Sequence, residues 1–361
     1  MHFFPSIEQA YTQDHLGASE SQRLAEYIAF GPVVFQVSRL MLKFGILELL
    51  RESPATEAEI AQKTGLSKYA TKVLLEASLS VGTVIIDKED KYHLTKTGWF
   101  LLTDPATRVN IDFNHDVNYE GLFHLEESLK EGRPAGLSHF GAWPTLYEAL
   151  SSFPEQVQKS WLNFDHYYSD QSFECALEEV FALHPHKIMD VGGNTGRFAQ
   201  LCVARDKQVE VTVVDLPQQI GLMKKAIAND PEANRIHGLE MDLLNPENAF
   251  PQNAQPDVIW MSQFLDCFSE EQILSILLRA VKVMSPHARL FIMETLWDRQ
   301  KYETAAFCLT MTSVYFAAIA NGNSKMYHSE DLLRLVNAAG LQVEQIHDNL
   351  GLGHSILVCK I

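Results

Sequence analysis

A chain of 361 residues is too long for one ordinary hydrophobic core, so we expect two domains. Its content of 46% hydrophobic and 21% charged residues is typical of a soluble globular protein, and its formal net charge of −17 argues against nucleic acid or an anionic membrane as a general partner. The five cysteines are scattered without a short repeated spacing, which favours reduced thiols in a cytoplasmic protein over a disulfide framework, a zinc site or any other metal site.

The first 108 residues predict a helical domain with a small hairpin, and they open without the basic and apolar regions of a signal peptide. Apolar side chains recur at helical spacing through residues 35–50, a capping box at Thr56-Glu-Ala-Glu59 begins another helix, and Ser67 can cap the next. Val84–Ile86 and Tyr92–Leu94 flank a charged turn and predict a hairpin. This is the order of a winged helix, a module that often binds DNA. Because the charges of this domain are roughly balanced, a ligand-sensing, DNA-binding regulator is the least favoured function.

Residues 109–180 predict a mostly helical linker that is rich in aromatic side chains. Such side chains belong to a core more often than to a pocket, but this linker directly precedes a glycine-rich loop. We therefore take Trp143, Phe164 and Tyr168 as candidates for a substrate pocket. A later uncharged run, residues 305–320, is too short for a membrane span and predicts a buried helix of a soluble protein.

From residue 181 to residue 361 the pattern alternates between strands and helices. The predicted strands cover residues 187–191, 209–214, 236–241, 257–261, 289–294, 342–346 and 354–359. Such alternation predicts the α/β class, with a parallel sheet that carries helices on both faces. Ligands of these sheets bind at the carboxyl ends of the strands, so the residues that follow each strand are the candidates for a site.

The strand ends carry a pattern suited to a nucleotide-like ligand. Asp190 closes the first strand, and a glycine-rich loop after it lets a ligand approach the backbone at the start of a helix. Asp215 ends the second strand, where a carboxylate can accept hydrogen bonds from both hydroxyls of a ribose. Met241 and Asp242 follow the third strand, where they can contact a flat ring and accept a bond from its amine. A turn or capping role is the competing interpretation for Asp215 and Asp242.

Three of these segments together resemble the cofactor motifs of class I S-adenosyl-L-methionine-dependent methyltransferases: Asp190-Val-Gly-Gly-Asn-Thr-Gly196, Val213-Val-Asp-Leu-Pro217 and Glu240-Met-Asp242. More specifically, the chain resembles the small-molecule O-methyltransferases of the caffeate and hydroxyindole type, and the winged-helix half takes part through Phe44-Gly-Ile-Leu-Glu-Leu-Leu50. The resemblance covers nearly the whole chain beyond the first thirty residues. It implies S-adenosyl-L-methionine as cofactor and a Rossmann-like seven-stranded sheet. It also implies a homodimer whose N-terminal domain lends residues to the partner's pocket.

The resemblance divides the chain into a winged-helix dimerisation domain (residues 1–108), a helical linker that contributes to the substrate pocket (109–180) and a Rossmann-like catalytic domain (181–361). The cofactor-binding residues that the motifs and strand ends assign are Asp190, Gly192, Gly193, Gly196, Asp215, Leu216, Met241, Asp242, Ser262 and Gln263.

The catalytic positions depart from the family pattern. The family places a base in a Leu-His-Asp-Trp motif, and this motif falls on Leu265-Asp266-Cys267-Phe268, so that Asp266 stands at the histidine position. The glutamate that orients the acceptor falls on Glu294, whereas a second glutamate of the plant enzymes falls near Met326. Burial beside aromatic rings could raise the pKa of Asp266 into a range useful for proton transfer. Alternatively, Asp266 holds a cationic acceptor or caps the following helix, and His328 or His166 supplies the base.

We therefore expect an S-adenosylmethionine-dependent methyltransferase that acts on the oxygen of a small aromatic or conjugated acceptor. Because the family histidine is missing, a relative that binds the cofactor but performs decarboxylation or hydroxylation is the alternative. The candidate residues of the acceptor pocket are Trp143, Phe164, Tyr168, Phe264, Met311, Tyr315 and Met326.

Overall fold

The computed structural model describes residues 2–361 and divides the chain into two compact units. The smaller, helical unit is Asp14–Asp116, and the larger, catalytic unit combines Met1–Gln13 with Val117–Ile361. We predict from the sequence a first domain that ends at residue 108 and includes the first residues. In the structure residues 2–13 belong to the catalytic unit instead, because Ile7 is buried there and the backbone of Phe4 hydrogen-bonds to Asp298.

The helical unit contains seven helices and a small sheet. After α1 (Pro5–Thr12), which belongs to the catalytic unit, its elements are α2 (Ala18–Ala29), α3 (Gly31–Lys43), α4 (Ile46–Glu52), β1 (Ala55–Thr56), α5 (Glu57–Thr64), α6 (Lys68–Val81), β2 (Val84–Ile86), β3 (Lys91–Leu94), α7 (Lys96–Thr103) and α8 (Pro105–Phe113). The capping box that the sequence predicts is present at α5, since the Thr56 amide donates to Glu59 Oε2 at 2.7 Å. The predicted hairpin pairs β2 with β3, and β1 adds a third antiparallel strand.

Nine helices accompany the catalytic sheet from residue 114 onward, apart from several short 3₁₀ and π segments. They are α9 (Leu125–Glu131), α10 (Leu146–Ala149), α11 (Glu155–Ser169), α12 (Phe173–Phe181), α13 (Arg197–Arg205), α14 (Pro217–Ala226), α15 (Glu270–Val281), α16 (Glu303–Tyr315) and α17 (Ser329–Ala338), of which α10 is a single turn.

Seven strands form the central sheet: β4 (Lys187–Val191), β5 (Glu210–Asp215), β6 (Ile236–Glu240), β7 (Val258–Ser262), β8 (Arg289–Glu294), β9 (Gln342–Leu350) and β10 (His354–Lys360). Their order is β6-β5-β4-β7-β8-β10-β9, and the pairs from β6 to β8 are parallel. The direction of winding reverses between β4 and β7, which makes the carboxyl ends of these strands the expected ligand site.

The sheet is mixed rather than wholly parallel as the alternation predicts. A tight turn at residues 351–353 joins β9 to β10, so β10 returns between β8 and β9 and runs antiparallel to both. The central strands are buried on both faces, with Met189, Val191 and Ile259 in one core and Ile188, Val258 and Trp260 in the other.

The uncharged run forms α16 and the π-helical turn that follows it. By length and composition the segment Glu303–Ala320 could cross a membrane, with a mean hydropathy of 1.3, and one third of it is buried within the protein. Ala306, Leu309 and Tyr315 face inward, whereas Phe307 and Met311 are exposed. The prediction of a buried helix therefore holds for one face only.

Residues 2–13, which we call the N-terminal arm, are anchored on the catalytic unit. Ile7 is fully buried, the Phe4 amide donates to the Asp298 carbonyl at 3.0 Å, and the Ser6 hydroxyl donates to the Gln300 carbonyl at 2.9 Å. These contacts explain why the arm separates from the helical unit that follows it in sequence.

Candidate active site

The loop after β4 needs glycine for two reasons. Gly192 and Gly196 have φ angles of 77° and 78°, and Asn194 between them has a φ of 48°, which asparagine tolerates better than most residues. A Cβ atom on Gly192 would lie 2.2 Å from the Phe264 ring, and one on Gly193 would lie 2.5 Å from Asp190 Oδ2. Because these Cβ atoms are absent, the loop backbone can lie this close to Phe264 and Asp190. Gly196 leads directly into the N-terminus of α13.

Asp215 faces this loop from the end of β5. Its Oδ2 accepts a hydrogen bond from the Asn194 amide at 2.8 Å, and its Oδ1 accepts one from the Leu216 amide at 2.7 Å. Burial raises the pKa of Asp215, although the two amide bonds act in the opposite direction. Each oxygen keeps a free lone pair, so the carboxylate can still accept bonds from a diol.

The next strand end is held less tightly. The Met241 amide donates to the Asp215 carbonyl at 2.8 Å, but Asp242 is exposed and its Oδ1 accepts a bond from the Leu244 amide at 2.9 Å. Asp242 thus has the turn role that the sequence analysis left open. The buried guanidinium of Arg279 fixes this turn by donating to three of its carbonyls, including that of Leu243 at 2.6 Å.

A cavity of about 90 Å³, which we call the loop cavity, lies between the glycine-rich loop and α11. It is lined by Asp165, His166, Ser169, Asp170, Phe173, Asp190, Gly192, Gly193, Asn194, Thr195, Arg197, Phe198, Trp260, Ser262 and Gln263. Four buried polar atoms of its walls have no hydrogen-bond partner: Asp190 Oδ2, Trp260 Nε1, Ser262 Oγ and Gln263 Oε1. Such unpaired groups are costly in a protein interior and indicate a ligand with both donors and acceptors.

Asp190 and Trp260 explain why this cavity lies where it does. The two residues are in register on the neighbouring strands β4 and β7, so their side chains point to the same face of the sheet. Burial, and then the nearby Asp215, raises the pKa of Asp190 to about 8. The glycines, the unpaired atoms and Asp215 together fit S-adenosylmethionine, which carries a diol, an ammonium group and a carboxylate.

Two carboxyl groups, which we call the acid pair, meet beside this loop. Glu294 Oε1 accepts bonds from the amides of Phe264 at 3.1 Å and Leu265 at 2.8 Å, whereas its Oε2 is buried without a partner. Asp266, which is 5% exposed, accepts a weak bond from the Cys267 thiol at 3.5 Å. No basic side chain contributes to the pKa shifts of either group.

The acid pair is strongly perturbed. Burial raises the pKa of Asp266 to about 6. Burial, and then the charge of Asp266, raises the pKa of Glu294 well above its ordinary value. Both shifts favour the neutral form of a carboxyl group, and the pKa of Asp266 lies in the range useful for a base, whereas Glu294 is shifted toward the protonated form that can donate a hydrogen bond.

Aromatic side chains surround the acid pair. The Tyr147 hydroxyl is buried near Cys267 without a well-formed hydrogen bond, and the Tyr315 hydroxyl accepts a bond from Trp161 Nε1 at 2.8 Å. Phe264 packs against Phe268 with their ring centroids 4.7 Å apart. Tyr315 and Phe264, two of the seven residues predicted to line the acceptor pocket, thus lie in this aromatic surround.

The remaining pocket candidates are placed differently. Met311 and Trp143 expose 50% and 38% of their surface, which gives neither a position in the enclosed aromatic surround. Phe164 and Tyr168 pack on each other along α11 with their ring centroids 5.1 Å apart. Met326 is buried, with its sulfur 3.6 Å from the Thr295 hydroxyl.

His328 does not have the properties of a base. Its Nδ1 accepts a bond from the Glu330 amide at 3.1 Å, and its Nε2 donates to the His2 carbonyl at 2.9 Å. Since both ring nitrogens are engaged and the side chain is buried, His328 caps α17 and anchors the N-terminal arm. His166 does line the loop cavity, where burial and then Arg197 lower its pKa to about 4.

The sequence did not lead us to predict three residues of the site: Asp165, Arg197 and Tyr147. Of these, Asp165 had the clearest signal in the sequence, because Trp161, Asp165 and Tyr168 follow one another at helical spacing in an aromatic stretch. Among residues 2–361, no three His, Cys, Asp or Glu side chains come together in a way that could hold a metal ion.

Two protein families match the chain. Residues 22–92 match the Dimerisation2-like domain, and residues 124–342, more than half of the chain, match the O-methyltransferase domain. Demethylspheroidene O-methyltransferase of Cereibacter sphaeroides is 23% identical over 339 residues, which cover 93% of this chain and 85% of that protein. Human acetylserotonin O-methyltransferase is 23% identical over 310 residues, which cover 79% and 84% respectively.

Solved structures share the fold. The apo S-adenosylmethionine-dependent methyltransferase SibL superposes with a TM-score of 0.70 at 22% identity, over 92% of this chain and 97% of that one. Human N-acetylserotonin methyltransferase in complex with S-adenosylmethionine gives a TM-score of 0.66 at 19% identity, over 96% and 99%. These matches lend no support to a non-methylating enzyme or a DNA-binding regulator. With its mixed seven-stranded sheet, its glycine-rich loop and its matching domains, the chain belongs to the O-methyltransferase family and is an S-adenosylmethionine-dependent methyltransferase.

Proposed function

We propose that the chain methylates a hydroxyl group of a small aromatic or conjugated acceptor, with Asp266 as the base in place of the family histidine. The observation that carries this proposal is the acid pair, which lies at the ends of β7 and β8 beside the glycine-rich loop. The names of the relatives, which methylate demethylspheroidene and acetylserotonin, support an acceptor of this size and kind.

The cofactor would be held from two strand ends. Asp215 would accept bonds from the ribose hydroxyls, and the backbone of the loop from Gly192 to Gly196 would lie against the rest of the molecule. When bound, S-adenosylmethionine supplies a methyl group on positively charged sulfur, which an oxygen nucleophile can displace. Because Met241 precedes an exposed turn, we expect Asp242 to contribute less than Asp215.

Asp266 would take the proton of the acceptor hydroxyl while Glu294 orients its oxygen. The Glu294 Oε1 atom is occupied by two amides, so the proton of the neutral acid resides on Oε2, the atom without a partner. The Oε2–H group can donate a hydrogen bond to the acceptor oxygen. A phenol has an ordinary pKa of about 10, about four units above that of Asp266, so the more acidic acceptors should react faster.

The acid pair also limits the charge of the acceptor. Since no basic side chain contributes to the pKa shifts of Asp266 or Glu294, an acceptor that carries a carboxylate close to its reacting hydroxyl would be repelled. We therefore expect neutral or cationic acceptors to be preferred over anionic ones.

A labelling experiment tests this function. The protein is incubated with methyl-labelled S-adenosylmethionine and a panel of phenols and polyketides, and labelled products are separated by chromatography. We expect an O-methylated product with the wild type and a strong loss with Asp266→Asn. Turnover of an acceptor without transfer of label would instead support decarboxylation or hydroxylation.

We also propose that the protein is a cytoplasmic homodimer assembled through the helical unit. The match to the Dimerisation2-like domain supports this, as do large apolar side chains that this unit exposes, including Ile28 at 71%, Phe30 at 60% and Phe100 at 62%. All five cysteines are free, which fits a reducing compartment. Light scattering should give twice the chain mass of 40.8 kDa, and Ile28→Glu should lower it; a wild-type monomer at micromolar concentration would contradict the proposal.

A further inference from the structure

We propose that the acceptor of this enzyme carries a protonated amine, and that Asp165 binds this ammonium group while Asp266 takes the proton of the hydroxyl. The substrate class is thus a phenol, or a related aromatic hydroxyl compound, with a basic amine on a short chain. The inference rests on the methyl transfer proposed above. It depends on one carboxylate of α11, which lies outside the segments that carry the cofactor motifs.

Asp165 lies on a largely aromatic face of α11. Four side chains at spacings of three and four residues share this face: Trp161, Phe164, Asp165 and Tyr168. Trp161 Nε1 donates to the Tyr315 hydroxyl at 2.8 Å, which turns this face toward the aromatic surround of the acid pair. Burial raises the pKa of Tyr315 above its ordinary value, and the charges of Asp165 and Asp266 raise it further. Asp165 is therefore close to the place where the reacting hydroxyl meets Asp266.

The Asp165 carboxylate has no cation of its own. Within residues 2–361 it accepts no hydrogen bond, and His166 Nδ1, 3.9 Å from its Oδ2 atom, is too far away to donate one. Burial and then Arg197 lower the pKa of His166 to about 4, so this ring is neutral at physiological pH. Arg197 itself is engaged in a salt bridge with Asp170. A partly enclosed carboxylate in this situation is stabilised by a ligand that brings a positive charge.

The aromatic rings beside Asp165 also suit a cation. Phe164 and Tyr168, which flank it on the same face, have their ring centroids 5.1 Å apart. An ammonium group is attracted to the face of such a ring within about 6 Å of its centroid. The Asp165 side chain remains 32% exposed and lines the loop cavity, so a ligand can reach its carboxylate.

A cationic acceptor also balances the charges of the reaction. When bound, S-adenosylmethionine supplies one net positive charge on sulfur, and Asp165 and Asp266 in their ionised forms supply two negative charges. The acceptor oxygen displaces the methyl group from sulfur, which keeps the electron pair of the broken carbon–sulfur bond, and Asp266 takes the hydroxyl proton. With an ammonium group on the acceptor, these groups sum to zero before and after the transfer. A neutral acceptor leaves one negative charge uncompensated at both stages.

Matched phenols of equal size test this contact. Tyramine and 4-propylphenol form one pair, in which an ammonium group is replaced by a methyl group, and 4-(3-aminopropyl)phenol and 4-butylphenol form a second pair with a longer chain. With labelled cofactor, we expect the wild type to prefer the amine of a pair by about tenfold or more in kcat/KM, because only the amine forms a charge-assisted hydrogen bond. The complex with S-adenosylhomocysteine should show the same preference in calorimetric affinities.

Asp165→Asn keeps the size of the side chain and removes its charge. We expect this variant to lose the preference, chiefly through a lower kcat/KM for the amine, and to bind S-adenosylhomocysteine as tightly as the wild type does. Glu155→Gln changes an exposed carboxylate at the start of the same helix and is the matched control. It should retain the full preference for the amine.

The other outcomes overturn the proposal. If the neutral phenol of each pair reacted as fast as the amine in the wild type, the methyl transfer would stand but the ammonium site would not. If Asp165→Asn lowered both members of a pair equally, or weakened S-adenosylhomocysteine, Asp165 would serve the whole site or the cofactor instead. If no phenol of any kind received label while S-adenosylhomocysteine still bound, the proposed methyl transfer itself would fail together with this inference.

Discussion

The roles proposed for the acid pair predict a large loss of activity for one conservative substitution and a small loss for another. Asp266→Asn removes the base but keeps the size of the side chain, so we expect kcat/KM to fall by about 10²- to 10⁴-fold, the usual contribution of general base catalysis. Glu294→Gln retains an oxygen that can accept from the amides of Phe264 and Leu265, and it places an N–H donor where the neutral acid has its O–H. We expect this variant to lose less than tenfold.

The pH dependence of the wild type should show the same base. Asp266 must be ionised to accept a proton, and its pKa is about 6, so kcat/KM should be level above this pH and fall about tenfold for each unit below it. This acid limb should be absent in Asp266→Asn and restored, with a shifted midpoint, in Asp266→His. The exposed neighbour Glu271 provides a control, since Glu271→Gln should reproduce the wild-type profile.

Initial rates measured with labelled cofactor across pH 5 to 9 provide the assay. The reasoning would be refuted if Glu294→Gln lost as much activity as Asp266→Asn, because Glu294 would then have to act in its ionised form. An acid limb that persisted in Asp266→Asn would also refute it, since another group would then be the base.

The remaining predictions concern the cofactor site and the glycine-rich loop. By calorimetry, Asp215→Ala should lower the affinity for S-adenosylhomocysteine about 10- to 100-fold. Asp242→Ala should lower this affinity by less than tenfold, because the Asp242 carboxylate is exposed and bonded within its own turn. Equal losses of affinity would contradict the geometry. In urea unfolding, Gly192→Ala should lower the free energy of unfolding by about 2–4 kcal/mol, because the position has a left-handed backbone and the added carbon would clash with the Phe264 ring. Gly340→Ala should lower it by only about 1–2 kcal/mol, because its backbone is also left-handed but no atom lies within 4 Å of the added carbon. Folding raises the pKa of Asp190 from 3.8 to about 8, so the ionisation of this carboxyl lowers stability as the pH rises through this range. Asp190→Asn should therefore raise the Tm of the ligand-free protein more at pH 8 than at pH 4. An equal rise at both pH values would contradict the raised pKa.

The glycine-rich loop and the strand end at Asp215 were predictable because their signals are local in sequence. Left-handed backbone positions select glycine or asparagine, and the end of a buried strand is recognisable from the apolar residues before it. The positions of Gly192, Gly196 and Asp215 therefore followed from a few neighbouring residues each. The assignment of Asp266 to the histidine position likewise needed only the residues on either side of it.

Other features depend on contacts that no local pattern reports. His328 was a reasonable base by residue type, but its two partners are an amide two residues away and a carbonyl 326 residues away. Asp165 lines the loop cavity together with Asp190 and Gly192, which follow much later in the chain, and sequence spacing cannot reveal this proximity. The direction of β10 depended on a three-residue turn whose consequence is visible only once the neighbouring strands are in place.

The N-terminal arm has a consequence for biosynthesis. The partners of Ser6 and His2 lie 294 and 326 residues further along the chain, so they leave the ribosome long after the arm does. An eight-residue helix such as α1 is barely stable alone, and Ile7 must remain exposed until those partners arrive. The N-terminal arm is thus made long before its native contacts can form, and the nascent chain carries an unprotected apolar segment until they do.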